Sequence, residues 1–206
     1  MLIQCPFSMA RLWLVGWEQF ITLQTMKNFE QPSPNSPEEE SSTVSEDLNA
    51  LFLDELADLY NAENQLTQAL PKMIEAARSG ELKTALESHL EETQDHVTRL
   101  EEAAASLDEK LQSRTCAAMQ GLIREASELL EEQKDKSSLD AAIIAAGQKV
   151  EHYEIASYGT VVAWAERLGY DDAAELLKST LEEEEAADEK LTDIAETLAN
   201  EDASEL

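Results

Sequence analysis

Four stretches of the chain each place an acidic residue inside an otherwise apolar helical stripe. These are Glu63, Glu92, the pair Glu151 and Glu154, and the pair Glu184 and Asp188. A carboxylate facing a core is costly unless something neutralises it. One such residue is an accident or a buried hydrogen bond. One in each of four helices, at similar height, reads as a cage for metal cations. His96, four residues after Glu92 and on the same side of its helix, adds an imidazole.

The stripes that must position these groups follow helical spacing. The first is Phe52, Leu56, Leu59, Glu63, Leu66, Leu70, Met73 and Ala77, with Pro71 expected to kink it and Ser79-Gly80 to end it. The second is Leu82, Leu86, His89, Thr93, His96, Leu100, Ala103 and Leu107, with Glu92 one residue off the line. The third is Ile144, Gly147, Glu151, Glu154, Tyr158, Val161, Ala165 and Leu168, stopped by Gly169. The fourth is Ala174, Leu177, Leu181, Glu184, Asp188, Leu191, Ala195 and Leu198, with Asp171 expected as its N-cap.

The turns between the first and second stripes, and between the third and fourth, are short, so each pair is an antiparallel hairpin. A long connection over about residues 108–138 joins the hairpins and carries its own helical segment, from Cys116 to about Gln133. Two hairpins with one long crossover describe an all-α, ferritin-like four-helix bundle.

A rise of about 1.5 Å per residue puts each acid near the middle of its stripe, where antiparallel helices meet in one layer. Glu63, Glu92, His96, Glu154, Glu184 and Asp188 fall in that layer, with Glu151 about one turn away on the same face. Empty, such a layer would have its carboxylate pKa values driven up by desolvation and mutual repulsion. Two divalent cations relieve both. Oxygen-rich ligation with an imidazole suits iron or manganese, with zinc as the usual competitor. His89 reads as a core histidine or as a partner to a ligand. Tyr158, on the third stripe, is in position to hydrogen-bond a ligand carboxylate. The competing account is a metal-free structural or partner-binding bundle whose carboxylates are protonated or hydrogen-bonded.

Composition narrows the class. The chain has 206 residues and a net charge of −29, with 44 acidic against 15 basic residues. Such a surface excludes nucleic-acid binding, which needs a basic footprint, and repels anionic membranes. Cys5 and Cys116 make no disulfide framework, which points to a reducing, cytoplasmic setting. No Ser-His-Asp arrangement, glycine-rich phosphate loop or CxxC motif is present.

Residues 1–31 are apolar but interrupted by Gln4, Arg11, Glu18, Gln19 and Gln24, too often for a spanning helix. Residues 1–25 read as a start codon placed upstream of Met26, with an interfacial helix as the alternative. Residues 32–45 are rich in Pro, Ser and Glu, the composition of a disordered linker. Order is expected from Thr43 with a capping box to Glu46, a ferritin-like domain over 46–200 and a tail over 201–206.

LADLYNAENQLTQALPKM, SHLEETQDHVTRLE, CAAMQGLIREA, KVEHYEIASYGT and TLEEEEAADEKLTDIA together resemble the YciE/YciF family of ferritin-like proteins, over about residues 48–198. The resemblance implies a rubrerythrin-like bundle, a link to bacterial stress responses, metal binding and a homodimer. Glu151-His152-Tyr153-Glu154 is also similar to the E-x-x-E on the third helix of rubrerythrin, which supplies metal ligands. The Glu-x-x-His pairs of the rubrerythrin second and fourth helices are not matched. Here the pairs are Glu92 with His96 and Glu184 with Asp188, four residues apart, with Glu92-x-x-Asp95 and Glu185-x-x-Asp188 as rival registers. Paired CxxC motifs are missing too, so oxidase- or peroxidase-type chemistry would need an external electron donor. The expected ligands are Glu63, Glu92, His96, Glu151, Glu154, Glu184 and Asp188.

Overall fold

A computed structural model describes residues 37–204 apart from Ser113, with side chains over 45–197. The readings made for residues 1–36, and the placing of the Leu198 side chain, lie outside the described residues. Five helices follow in order: α1 (Pro37–Ala76), α2 (Gly80–Ser106), α3 (Ala117–Gln133), α4 (Leu139–Leu168) and α5 (Asp171–Ser204). No strand occurs among the described residues. No helix among them is long and apolar enough to cross a membrane.

Helices α1 and α2 form one antiparallel hairpin, and α4 and α5 the other. The hairpins pack α1 on α4 and α2 on α5, and α3 lies across α1 and α4. The expected all-α four-helix bundle, with an extra helix in its crossover, is the fold observed. The stripe positions from Phe52 to Met73 on α1, Ala77 just beyond it, and Leu82 to Ala103 on α2 are all buried.

Several boundaries differ from expectation. Helix α1 begins at Pro37, six residues before Thr43 and inside the stretch read as linker. The first helical turn needs no N–H partners, and the fixed φ of proline suits it. The helix continues through Pro71. Gly80 opens α2 instead of closing α1, because Ser79 caps the second helix, its Oγ accepting from the Leu82 amide at 3.4 Å. Asp171 is the first residue of α5 and not its cap, and the Tyr170 carbonyl accepts from the Ala174 amide. Helix α5 also runs on to Ser204, past residue 200.

The turns and the crossover are held by specific bonds. Gly169 closes α4 at φ 79°, a left-handed conformation that glycine adopts without penalty. The Asp140 carboxylate accepts from the amides of Arg78 and Ser79, both at 2.8 Å, which ties the α1–α2 turn to the start of α4. Asn61 accepts from the Cys116 amide at 2.8 Å, and Gln65 donates to the Cys116 carbonyl at 3.1 Å, fixing α3 on α1. Gly147 allows α4 to approach α5, since a Cβ there would meet Leu191 Cδ1 at 3.0 Å.

The apolar core comes in two blocks. One holds Leu66, Leu70, Leu86, Ile143, Val150 and Leu191. The other holds Leu59, Leu100, Tyr158, Val161 and Leu177. On every main helix the break between blocks falls at the polar residues: Glu63 on α1, His89 to His96 on α2, Glu151 and Glu154 on α4, and Glu184 on α5. These groups are thus layered between two apolar blocks along the bundle.

Candidate metal centre

Four carboxylates and two imidazoles meet at that seam. Glu63, His96, Glu154 and Glu184 are fully buried, Glu151 is 3% exposed and His89 6%. They form two interlocking sets, His89–Glu151–Glu154–Glu184 and Glu63–His96–Glu184, each able to offer ligand atoms within 4.8 Å of one another. Glu184 belongs to both, so one carboxylate stands between two potential ion positions.

On α2, His89 and His96 are seven residues apart, two helical turns, and their ring centroids lie 6.5 Å apart. His89 Nε2 lies 3.4 Å from Glu151 Oε1. His96 Nδ1 lies 3.0 Å from Glu184 Oε1 and 3.4 Å from Glu63 Oε1. None of these contacts is a formed hydrogen bond. Both His89 nitrogens, His96 Nδ1 and at least one oxygen of each of the four glutamates are therefore buried without a hydrogen-bond partner. Buried polar groups are normally satisfied, so such a concentration calls for an explanation.

The surrounding contacts are better formed. Tyr158 donates its hydroxyl to Glu63 Oε1 at 2.6 Å, as its place on the third stripe led one to expect. His96 Nε2 lies 2.8 Å from Glu183 Oε2. Arg99 clamps the same Glu183 carboxylate with both terminal nitrogens, at 2.5 and 2.8 Å. The Thr93 hydroxyl bonds back to the His89 carbonyl at 2.7 Å, so it fills its stripe position without competing for the centre.

The electrostatics follow from burial and crowding. Desolvation, reinforced by the neighbouring glutamates, pushes Glu151 and Glu154 well above the usual carboxylate range. Burial also raises Glu63, against the pull of His96 and Tyr158. Burial would raise Glu184 too, but the imidazoles of His96 and His89 outweigh it and hold it below its ordinary value. For the histidines burial acts downward and the carboxylates win, raising His89 to about 9 and His96 to about 11. Without a metal, protons and imidazolium charge hold the layer together.

Of the seven expected ligands, the structure brings five together: Glu63, His96, Glu151, Glu154 and Glu184. Glu92 is not among them. Its side chain is 41% exposed and touches the centre only through His89 Nδ1, at 3.8 Å, because one residue off the stripe turns it about 100° away. Asp188 is in neither set; it is 23% exposed, with Oδ2 3.3 Å from His152 Nε2 and Oδ1 buried without a partner. On α2 the cluster therefore includes His89 and His96, and Glu92 lies outside it. The signal for His89 was present, since it shares the buried stripe. Glu183 had no signal, lying within the run Glu182 to Glu185. Cys116 is buried and its thiol pushed upward by burial, as expected of an unreactive cysteine.

The chain is similar to known proteins over most of this fold. A family model described as a domain of unknown function, DUF892, matches residues 47–204. Protein YciF of Escherichia coli is 49% identical over 154 residues, which are 74% of this chain and 93% of that protein. The crystal structure of YciF, called there a stress protein, superimposes with a TM-score of 0.70 at 47% identity, over 74% of this chain and 97% of the other. YcfI of Rhodopseudomonas palustris, for which a structural role is suggested, gives a TM-score of 0.69 at 51% identity, over 70% and 92%.

Proposed function

The chain belongs to the DUF892 family and is YciF-like, and on that footing we propose that its buried layer holds two divalent cations, iron or manganese, in a ferritin-like bundle. His89, Glu151 and Glu154 would hold one ion, Glu63 and His96 the other, and Glu184 would bridge them. The observation that carries this reading is the set of unpartnered nitrogen and oxygen atoms on all six residues. Each is a lone pair or proton with nothing to bond, and a cation satisfies many at once. The charges also match, since four carboxylates balance two divalent ions while both imidazoles stay neutral.

The donor set is oxygen-rich with one imidazole on each side, which suits iron and manganese better than a thiolate-seeking metal. Glu183 would fix the His96 ring with Nδ1 facing inward, and Tyr158 would fix Glu63. When bound, a redox-active pair of this kind supplies the means to reduce oxygen or peroxide, with electrons from an external donor. The role that fits is protection under stress, by withholding reactive metal or consuming an oxidant. A homodimer in the cytoplasm belongs to the same proposal.

The test is metal content. Protein purified without chelators and reconstituted with Fe(II) or Mn(II) should keep two ions per chain through desalting, and Glu184→Ala should lose most of both. No retained metal in the wild-type protein would overturn the reading.

One observation favours a second reading, a metal-free structural bundle. His89 and His96 are raised enough to be cationic at neutral pH, and two imidazoliums offset two of the four carboxylates. That version expects thermal stability indifferent to added divalent metal, whereas ligation should raise it.

A further inference from the structure

Between α2 and α5 lies an open cavity of about 390 Å³ whose inner wall includes His89 and Glu151 and whose rim includes Glu81, Glu92 and Lys190. It is roomy because facing positions are small, with Ala85 and Ser88 on α2 and Ala186 and Ala187 on α5. Glu63, His96 and Glu184 are fully buried and do not line it, although Glu183, whose carboxylate contacts His96, does. We propose that this groove is the route by which divalent cations reach the buried layer, with Glu92 as the carboxylate that passes each ion to His89.

The acids along the groove are graded in exposure. The side chain of Glu81 at the rim is 50% exposed, that of Glu92 41%, and that of Glu151 at the inner end 3%. Much of the wall between them is apolar, from Ala85, Leu86, Ala186, Ala187 and Leu191, so the carboxylate beside His89 is the group that can take over water ligands where the ion leaves solvent. His89 is the hinge of the relay. It is nine-tenths buried, neither ring nitrogen has a hydrogen-bond partner, and it lies 3.8 Å from Glu92 on one side and 3.4 Å from Glu151 on the other. Lys190, paired with Glu81 at 2.9 Å across the rim, holds a positive charge where a cation must pass. Removing that charge should ease loading.

The inference rests on the dinuclear reading, and the experiment separates the two. Apo protein is mixed with Co(II) in a stopped-flow instrument and loading is followed by the cobalt absorbance, for wild type, Glu92→Gln and Ala187→Phe. Equilibrium stoichiometry is measured in parallel, and circular dichroism checks folding. Glu92→Gln changes only an exposed group and should fold as wild type. It should load about tenfold more slowly, the lower range for loss of electrostatic steering, and still bind two ions at equilibrium. Ala187→Phe, which fills the groove, should slow loading further at the same final stoichiometry. Wild-type rates in Glu92→Gln would overturn the route. Fewer than two ions in Glu92→Gln at equilibrium would also overturn it, by making Glu92 a resident ligand. No Co(II) bound by wild type removes the dinuclear reading itself, and the route with it.

Discussion

Nε2 of His96 and Oε2 of Glu183 lie 2.8 Å apart, and this contact decides which face His96 shows to the centre. The Arg99 clamp keeps Glu183 ionised and its pKa below the usual range, so the carboxylate can only accept and Nε2 must carry the proton. Nδ1 is left for the interior, between Glu63 and Glu184. Glu183→Ala should therefore keep the fold but weaken metal affinity by about 10–100-fold. Competition titration against a chelating dye measures this, and unchanged affinity would count against the orienting role.

Tyr158→Phe deletes the hydroxyl that donates to Glu63 at 2.6 Å inside a fully buried contact. One more carboxylate oxygen is then unpartnered, which should cost about 1–3 kcal/mol in the metal-free protein. Urea unfolding at neutral pH reads it directly.

Glu154 is fully buried with neither oxygen partnered. Glu154→Leu exchanges that group for an apolar one of similar size. The metal-free protein should gain about 1–3 kcal/mol, the desolvation penalty removed. Metal stoichiometry should fall at the same time. A variant that gains stability and keeps both ions would show that Glu154 is not a ligand.

Stability in the absence of metal should fall as the solution becomes alkaline. His89 and His96 have folded-state values of about 9 and about 11 against an ordinary 6.5. Their contribution is complete below about pH 6.5 and is lost as pH rises through those values. Glu151 and Glu154, raised as well, act with the same sign from a lower starting pH. Glu184 is lowered, so its contribution is lost on the acid side instead. Metal ligation needs these groups deprotonated, and its affinity should rise over the same window. Thermal melts at pH 6.5 and 9 should show a larger gain from Mn(II) at the higher pH. An equal gain at both would argue against ligation by the buried layer.

Much of this protein was legible from residue order. Helical spacing located the buried faces, because a 3.6-residue period makes burial a local property of each helix. The same logic found Glu63, Glu151, Glu154, Glu184 and His96, whose apolar neighbours fixed the face they share. It also expected Glu92 and Asp188 in that layer, where the structure places neither in the cluster, and it read His89 as a core histidine or a partner to a ligand, where the structure puts it within the cluster. Which side chains meet at one height depends on the rotation and offset of one helix against another, and no single stripe contains that information. The sharing of Glu184 between two sets, the hold of Glu183 on His96 and the groove ending at His89 all join α2 to α4 or α5. Those relations arise only when the two hairpins dock.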